Sequence, residues 1–135
     1  MKKTWQFVKE NNLPKEAAAG RDHFWHFSHD FKGNTDTMLV KVVVPENGGH
    51  DFHRHPKMDE VLYVLKGTAE QWVEGEMQQM KVGDSVYIDA DVVHATFNTG
   101  EETLELLAIL SPKEGWEAGT IDESGNEPYV SYRNK

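Results

Sequence analysis

The chain has 135 residues, no cysteine and a formal net charge of −9 at pH 7. That length suits a single domain over 1–135 with a core that needs no crosslink, and the lack of thiols excludes a disulfide framework, a thiolate metal site and a cysteine nucleophile. The acidic balance speaks against nucleic acid or an anionic membrane as partner. No stretch has the apolar run of a signal peptide or a membrane span, so a soluble, cytoplasmic protein is expected.

Residues 1–37 read as an N-terminal arm and the first strands. Within them the stretch from Thr4 to Asn12 carries Trp5, Phe7 and Val8 among polar residues, which predicts a short helix stopped by Pro14. The run HFWHFSH then sets His23, His26 and His29 three apart, a spacing that suits one side of a helix. The interleaved Phe24, Trp25, Phe27 and Phe31 read as packing residues, not as walls of a second metal site.

From Met38 the texture changes to short runs rich in β-branched and aromatic residues: MLVKVVV, EVLYVLKG, TAEQWVEG, EMQQMKVG, SVYI, HATFNTG and TLELLAIL. Turn residues stand between them, notably Pro45 to Gly49, Lys66-Gly67, Glu74-Gly75, Val82-Gly83 and Thr99-Gly100. Many short strands in sequence mean a β-sandwich or barrel, with its core over 38–110. Glu101 and Glu102 belong to a solvated turn. Gln71 and Trp72 alternate across one strand, so one of the two faces the interior. Residues 111–135 are rich in Gly, Glu and Asp and read as a loosely held tail. Trp116, Tyr129 and Tyr132 keep open a lid over the barrel mouth or a contact with a second subunit.

The stretch from His50 to Glu60 concentrates groups able to ligate a metal. His53 and His55 are two apart, so on a strand both side chains project from one face and reach a single ion, while Phe52 and Arg54 face away. Glu60 lies five residues beyond His55, an odd separation that a straight strand would place on the wrong face. Pro56 breaks the strand, and Lys57-Met58-Asp59 turns the chain so that Glu60 rejoins the ion. Leu62 and Val64 then share Glu60's inward face, within a run apolar on both faces as though a second layer covered it. A later segment supplies His94, with Thr96 and Asn98 inward beside it. His50, three residues before His53, is expected to face away from the ligand pair.

These residues resemble the two motifs of the cupin superfamily. The first, G(X)5HXH(X)3,4E(X)6G, is matched by His53, His55, Glu60 and Gly67, with Gly48 one position closer than the usual leading glycine. The second, G(X)5PXG(X)2H(X)3N, is matched by Gly83, His94 and Asn98, with Asp89 and Asp91 where the family has Pro and Gly. The resemblance implies an all-β double-stranded β-helix, or jelly-roll barrel, commonly homodimeric, with one divalent metal on His53, His55, Glu60 and His94. Three imidazoles and a carboxylate suit Mn(II), Fe(II) or Ni(II), and Zn or Cu also binds such a set. The expected function is a dioxygenase-like oxidoreductase acting on a small oxygen-rich molecule. A metal-dependent isomerase or decarboxylase, or a non-catalytic small-molecule-binding cupin, is the alternative. Leu62, Val64, Thr96 and Asn98 imply a partly apolar pocket.

Overall fold

In the computed structural model, which describes residues 4–133, the chain is almost entirely β. The strands are β1 (Glu16–Ala18), β2 (Arg21–Phe27), β3 (Met38–Val44), β4 (Gly49–Arg54), β5 (Asp59–Lys66), β6 (Ala69–Val73), β7 (Glu76–Met80), β8 (Ser85–Ile88), β9 (His94–Phe97), β10 (Leu104–Ser111) and β11 (Ile121–Asp122). They form two antiparallel sheets, β1-β2-β3-β10-β5-β8 and β11-β4-β9-β6-β7. This is the jelly-roll architecture expected from the motifs. No helix among the described residues is long and apolar enough to cross a membrane.

Alternation explains how the strands pack. On β10, Leu104, Leu106, Ala108 and Leu110 are buried while their neighbours are half-buried, the period of a strand with one face on a core. They meet Met38, Val40 and Val44 of β3 and Leu62 and Val64 of β5 between the sheets. The opposite face of β5 is not covered as its apolar sequence suggests, because Tyr63 and Leu65 are exposed.

The N-terminal helix is reduced to one 3-10 turn over Glu10–Asn12. HFWHFSH is not helical either, since its first five residues end β2. A register irregularity between Trp25 and Phe27 leaves His26 without a partner on β3, the signature of a β-bulge. The three histidines therefore diverge. His23 bonds Glu16, His26 bonds Glu10 and His29 stacks on Trp116.

β2 meets β4 through glycines. Gly49 donates its N–H to the Gly20 carbonyl at 3.0 Å, and a Cβ on Gly48 or Gly20 would collide with the other strand's backbone. The approach demands residues without side chains, and Gly20 also has φ +83°. It sets Arg21 beside His50.

The C-terminal segment is docked on the barrel. β11 pairs with β4, Ile121 opposite Arg54 and Asp122 opposite His53, and Arg54 binds Glu123 at 2.7 Å. Tyr129 and Tyr132 pack on Phe52 and Trp72, with Tyr132 stacked on Trp72 at 5.3 Å. Trp72 thus faces outward and Gln71 inward, where it accepts a hydrogen bond from Thr96 Oγ1 at 2.6 Å. Glu101 and Glu102 are exposed as expected.

Candidate metal centre and its cavity

His53 arrives on β4 and His94 on β9, paired across the two strands. β4 ends at Arg54 and a turn follows through Pro56 and Lys57 before β5 begins. The break returns Glu60 to the interior opposite His94. All four side chains, His53, His55, Glu60 and His94, are buried, and one ligand atom from each lies within 4.8 Å of every other. Among the described residues this is the only such group.

The imidazoles are oriented from behind. His53 Nδ1 sits 2.6 Å from the Asp51 carbonyl and His94 Nδ1 3.0 Å from that of Val92. A carbonyl only accepts, so both Nδ1 atoms carry the hydrogen and both Nε2 lone pairs are free to ligate. His55 Nδ1 is 3.1 Å from the Thr120 hydroxyl, which gives the third ring the same tautomer when the hydroxyl accepts. Such outer contacts fix ring orientation in metal sites. Thr120 comes from the segment just before β11, a contribution that no sequence pattern signals.

Charge balance supports a cation. Glu60 Oε1 and His94 Nε2 are 3.0 Å apart, yet both are fully buried and neither attains hydrogen-bond geometry with any described group. Buried polar atoms left in this way are costly unless an ion satisfies them. Burial pushes the Glu60 carboxyl upward, but the His55 and His94 imidazoles close beside it win and hold it well below its ordinary range. Burial opposes charge on His94, and the Glu60 carboxylate overcomes that to raise it. His53 is held well below its ordinary value by burial and then by the neighbouring imidazoles. An anionic carboxylate among nitrogen lone pairs is the donor set of a divalent ion.

The four candidate ligand side chains open on a cavity of about 130 Å³. Val40, Val42, Leu62, Leu106 and Leu110 give it apolar walls, Thr96 adds a hydroxyl and Trp116 closes one side. Of the other side chains expected inside, Val64 belongs to the core and Asn98 clasps backbone, donating to the carbonyls of Val44 at 3.0 Å and Glu102 at 2.9 Å.

His50 does not face away. On β4 the register shifts between His50 and His53, which pair with Thr96 and His94 respectively. Three residues thus advance on β4 against two on β9, a bulge that turns His50 into the cavity. Its ring stacks on His53 at 3.5 Å between centroids, and burial followed by the Arg21 charge pushes its pKa down to about 3. Arg21 donates to His50 Nε2 at 3.4 Å and to the Ala19 carbonyl at 2.7 Å. It also lines the cavity, a cation among apolar walls. Arg54 faces outward as expected, bound to Asp91 and Glu123.

Comparison with known proteins agrees with this construction. The family model described as a cupin domain matches residues 40–110. A glucose-6-phosphate isomerase of Pyrococcus horikoshii is 36% identical over 109 residues, covering 72% of this chain and 58% of that protein. The matches span about half to three fifths of the first curated relatives. Among solved structures, a predicted oxalate decarboxylase of Thermotoga maritima superposes with a TM-score of 0.72 at 21% identity, covering 79% of this chain and 99% of that one. An RmlC-like cupin of Shewanella frigidimarina gives 0.68 at 21% identity, covering 83% and 95%. With the matched domain taking in over half of its length and the histidines of both motifs meeting inside a double-stranded β-helix, this chain belongs to the cupin family.

Proposed function

We propose that the protein is a divalent-metal-dependent enzyme acting on a small, anionic, oxygen-rich molecule, with dioxygenase-like oxidation as its chemistry. The observation that carries the reading is the buried Glu60 Oε1 and His94 Nε2 pair, unsatisfied within a ring of imidazoles whose Nδ1 atoms are already engaged. His53, His55, Glu60 and His94 would hold Mn(II), Fe(II) or Ni(II), and Zn or Cu would bind too. When bound, such an ion polarises chelating substrate oxygens and, if redox-active, exchanges electrons with dioxygen.

The surrounding residues supply the rest. Arg21 offers a guanidinium to an anionic group of the substrate, since it lines the cavity and its hydrogen bonds go to a carbonyl and an imidazole, with no carboxylate bound directly. The apolar part of the lining suits dioxygen, itself apolar. The apolar lining with Arg21 as its one cationic residue favours a compact molecule over a sugar phosphate, which would call for several Arg or Lys residues inside.

Two measurements test this. Elemental analysis of tag-free protein purified without chelator should show about one metal ion per chain; folded protein without metal would overturn the reading. Oxygen uptake should then be seen with one of a panel of diketones, enediols and catechols across the Fe(II), Mn(II) and Ni(II) forms. Equal turnover under anaerobic conditions would favour an isomerase or decarboxylase instead, the second reading, which rests on the named relative and structural neighbour above.

We also read the protein as a homodimer. Trp5 and Phe7 of the arm are 64% and 84% exposed, and Tyr63, Leu65 and Tyr87 are exposed on the outer face of the six-stranded sheet. Trp5 borders a groove of about 860 Å³ with Phe27, Phe31, Leu39 and Ile109, continuous in sequence and sheet with that face. A second copy offers an apolar surface of matching kind. Light scattering should give twice the chain mass, and W5S/F7S should reduce it to one.

A further inference from the structure

Three inward side chains of β2, Arg21, His23 and Trp25, line the cavity at alternate positions. His23 lies between the other two, opposite Val42, itself a cavity residue. Its Nδ1 is 2.9 Å from Glu16 Oε1. The same oxygen accepts the Trp25 indole N–H at 3.0 Å. A carboxylate held by two donors accepts only, so His23 Nδ1 carries the hydrogen and Nε2 presents a lone pair, with no hydrogen-bond partner among the described residues. The bonds from His23 and Trp25 keep Glu16 ionised below its ordinary range.

We propose that His23, oriented by Glu16, is the proton-transfer residue of this pocket. The proposal rests on the reading of a metal-dependent enzyme and deepens it. A small molecule that chelates as an enolate or alkoxide must lose a proton. The O–H or activated C–H bond breaks, its electron pair stays on the substrate as an oxyanion or enolate, and the proton bonds to His23 Nε2. The resulting imidazolium faces the Glu16 carboxylate, which stabilises it in the manner of an acid-oriented histidine base. The same proton returns to carbon or oxygen when product forms.

No other cavity group is placed for this step. Lone pairs on His53, His55, Glu60 and His94 would be committed to a bound ion, and His50 spends its Nε2 lone pair on Arg21. The titratable groups around His23 are Glu16 from β1, Arg21 on its own strand and, through Arg21, His50 from β4; β3 presents the apolar Val42. Glu16 is thus the charge in direct contact with His23.

The test uses the zinc-loaded full chain and acetylacetone, a diketone that chelates as its monoanion. Calorimetry in buffers of different ionisation heat counts protons released on binding near pH 7.5, and NMR of ¹⁵N-labelled histidine follows the His23 ring. Wild type should keep the proton, with His23 becoming imidazolium. H23Q should bind equal zinc but release about one proton per ligand, and E16Q should fall between. With the native metal and substrate, H23Q should lower kcat by about 10²–10⁴-fold. Identical proton counts and affinities in wild type and H23Q would overturn the role of His23. Zinc-replete wild type that fails to bind acetylacetone would also overturn it, while leaving the metal site standing. Failure to take up zinc at all would overturn the reading beneath it.

Discussion

The wall of the cavity built by β4, β5 and β9 and the wall built by β2 face the same space, but their polar side chains are held differently. On the ligand wall, His53 and His94 each bond a carbonyl only two residues earlier in the chain. Orientation there is local, a property of the strand itself. On β2, His23 depends on Glu16 across the β1–β2 hairpin, and Arg21, besides a local bond to the Ala19 carbonyl, reaches His50 across the glycine contact. Orientation there involves side chains of other strands. Substitutions on the first wall should change what ion is held, and substitutions on the second what happens to the bound molecule.

The strongest test of that division compares His94→Ala with Arg21→Met. Removing His94 should abolish stoichiometric metal while circular dichroism still reports the barrel. Arg21→Met should keep the metal and lose affinity for a small dianion such as oxalate. Loss of metal in Arg21→Met would merge the two walls into one unit. A smaller effect is expected at Thr120, the one ligand support that is not local. Thr120→Val removes the oxygen behind His55, and metal affinity by competitive chelation should fall about 10–100-fold. An unchanged affinity would show that His55 needs no support from the C-terminal segment.

Acid separates the walls in another way. His50, pushed down to about 3 by burial, stays neutral in the folded protein, whereas in the unfolded chain it protonates near 6.5. Its folded value is depressed, so its contribution is intact above 6.5 and stability declines as pH falls from there toward 3. The slope from this one group is about 1.4 kcal/mol per pH unit, or roughly 2 kcal/mol at pH 5. Denaturant unfolding of metal-free protein should therefore show a shallower acid decline in His50→Gln than in wild type. Parallel curves would mean that water reaches His50.

The same division explains what was legible in the amino-acid sequence. The gathering of the four candidate ligands could be read because its geometry is local: strand parity aligns His53 with His55, and Pro56 turns the chain for Glu60. His50 could not, since parity assumes an unbroken ladder and the bulge changes it. The only local trace is Asp51, whose carboxylate accepts its neighbour's backbone N–H at 2.8 Å, a competitor to regular pairing. β2 was hidden by a histidine spacing that imitates a helix and breaks only at the bulged His26. The C-terminal docking was signalled only by the aromatic residues Trp116, Tyr129 and Tyr132, and its place was not, because Tyr129 and Tyr132 find Phe52 and Trp72 through tertiary packing, not periodicity.

The smallest predicted effect concerns Asp91, where the second motif departs from the family's glycine. Asp91 has φ 71°, the left-handed conformation that glycine adopts freely and that aspartate tolerates better than most residues. Its backbone N–H meets the His55 carbonyl at 2.8 Å, and its carboxylate meets Arg54 Nη1 at 2.6 Å. The turn therefore fastens the ligand strand from outside, and the side chain adds an ion pair that glycine would lack. Asp91→Gly relieves roughly 1 kcal/mol of backbone strain but frees the unfolded chain by about 0.5–1 kcal/mol. The two nearly cancel. What remains is the exposed ion pair, which salt screens. Denaturation midpoints of wild type and Asp91→Gly should thus be close and should converge further as salt is raised. A difference that persists at high salt would show that the carboxylate shapes the turn itself, and with it the position of His55.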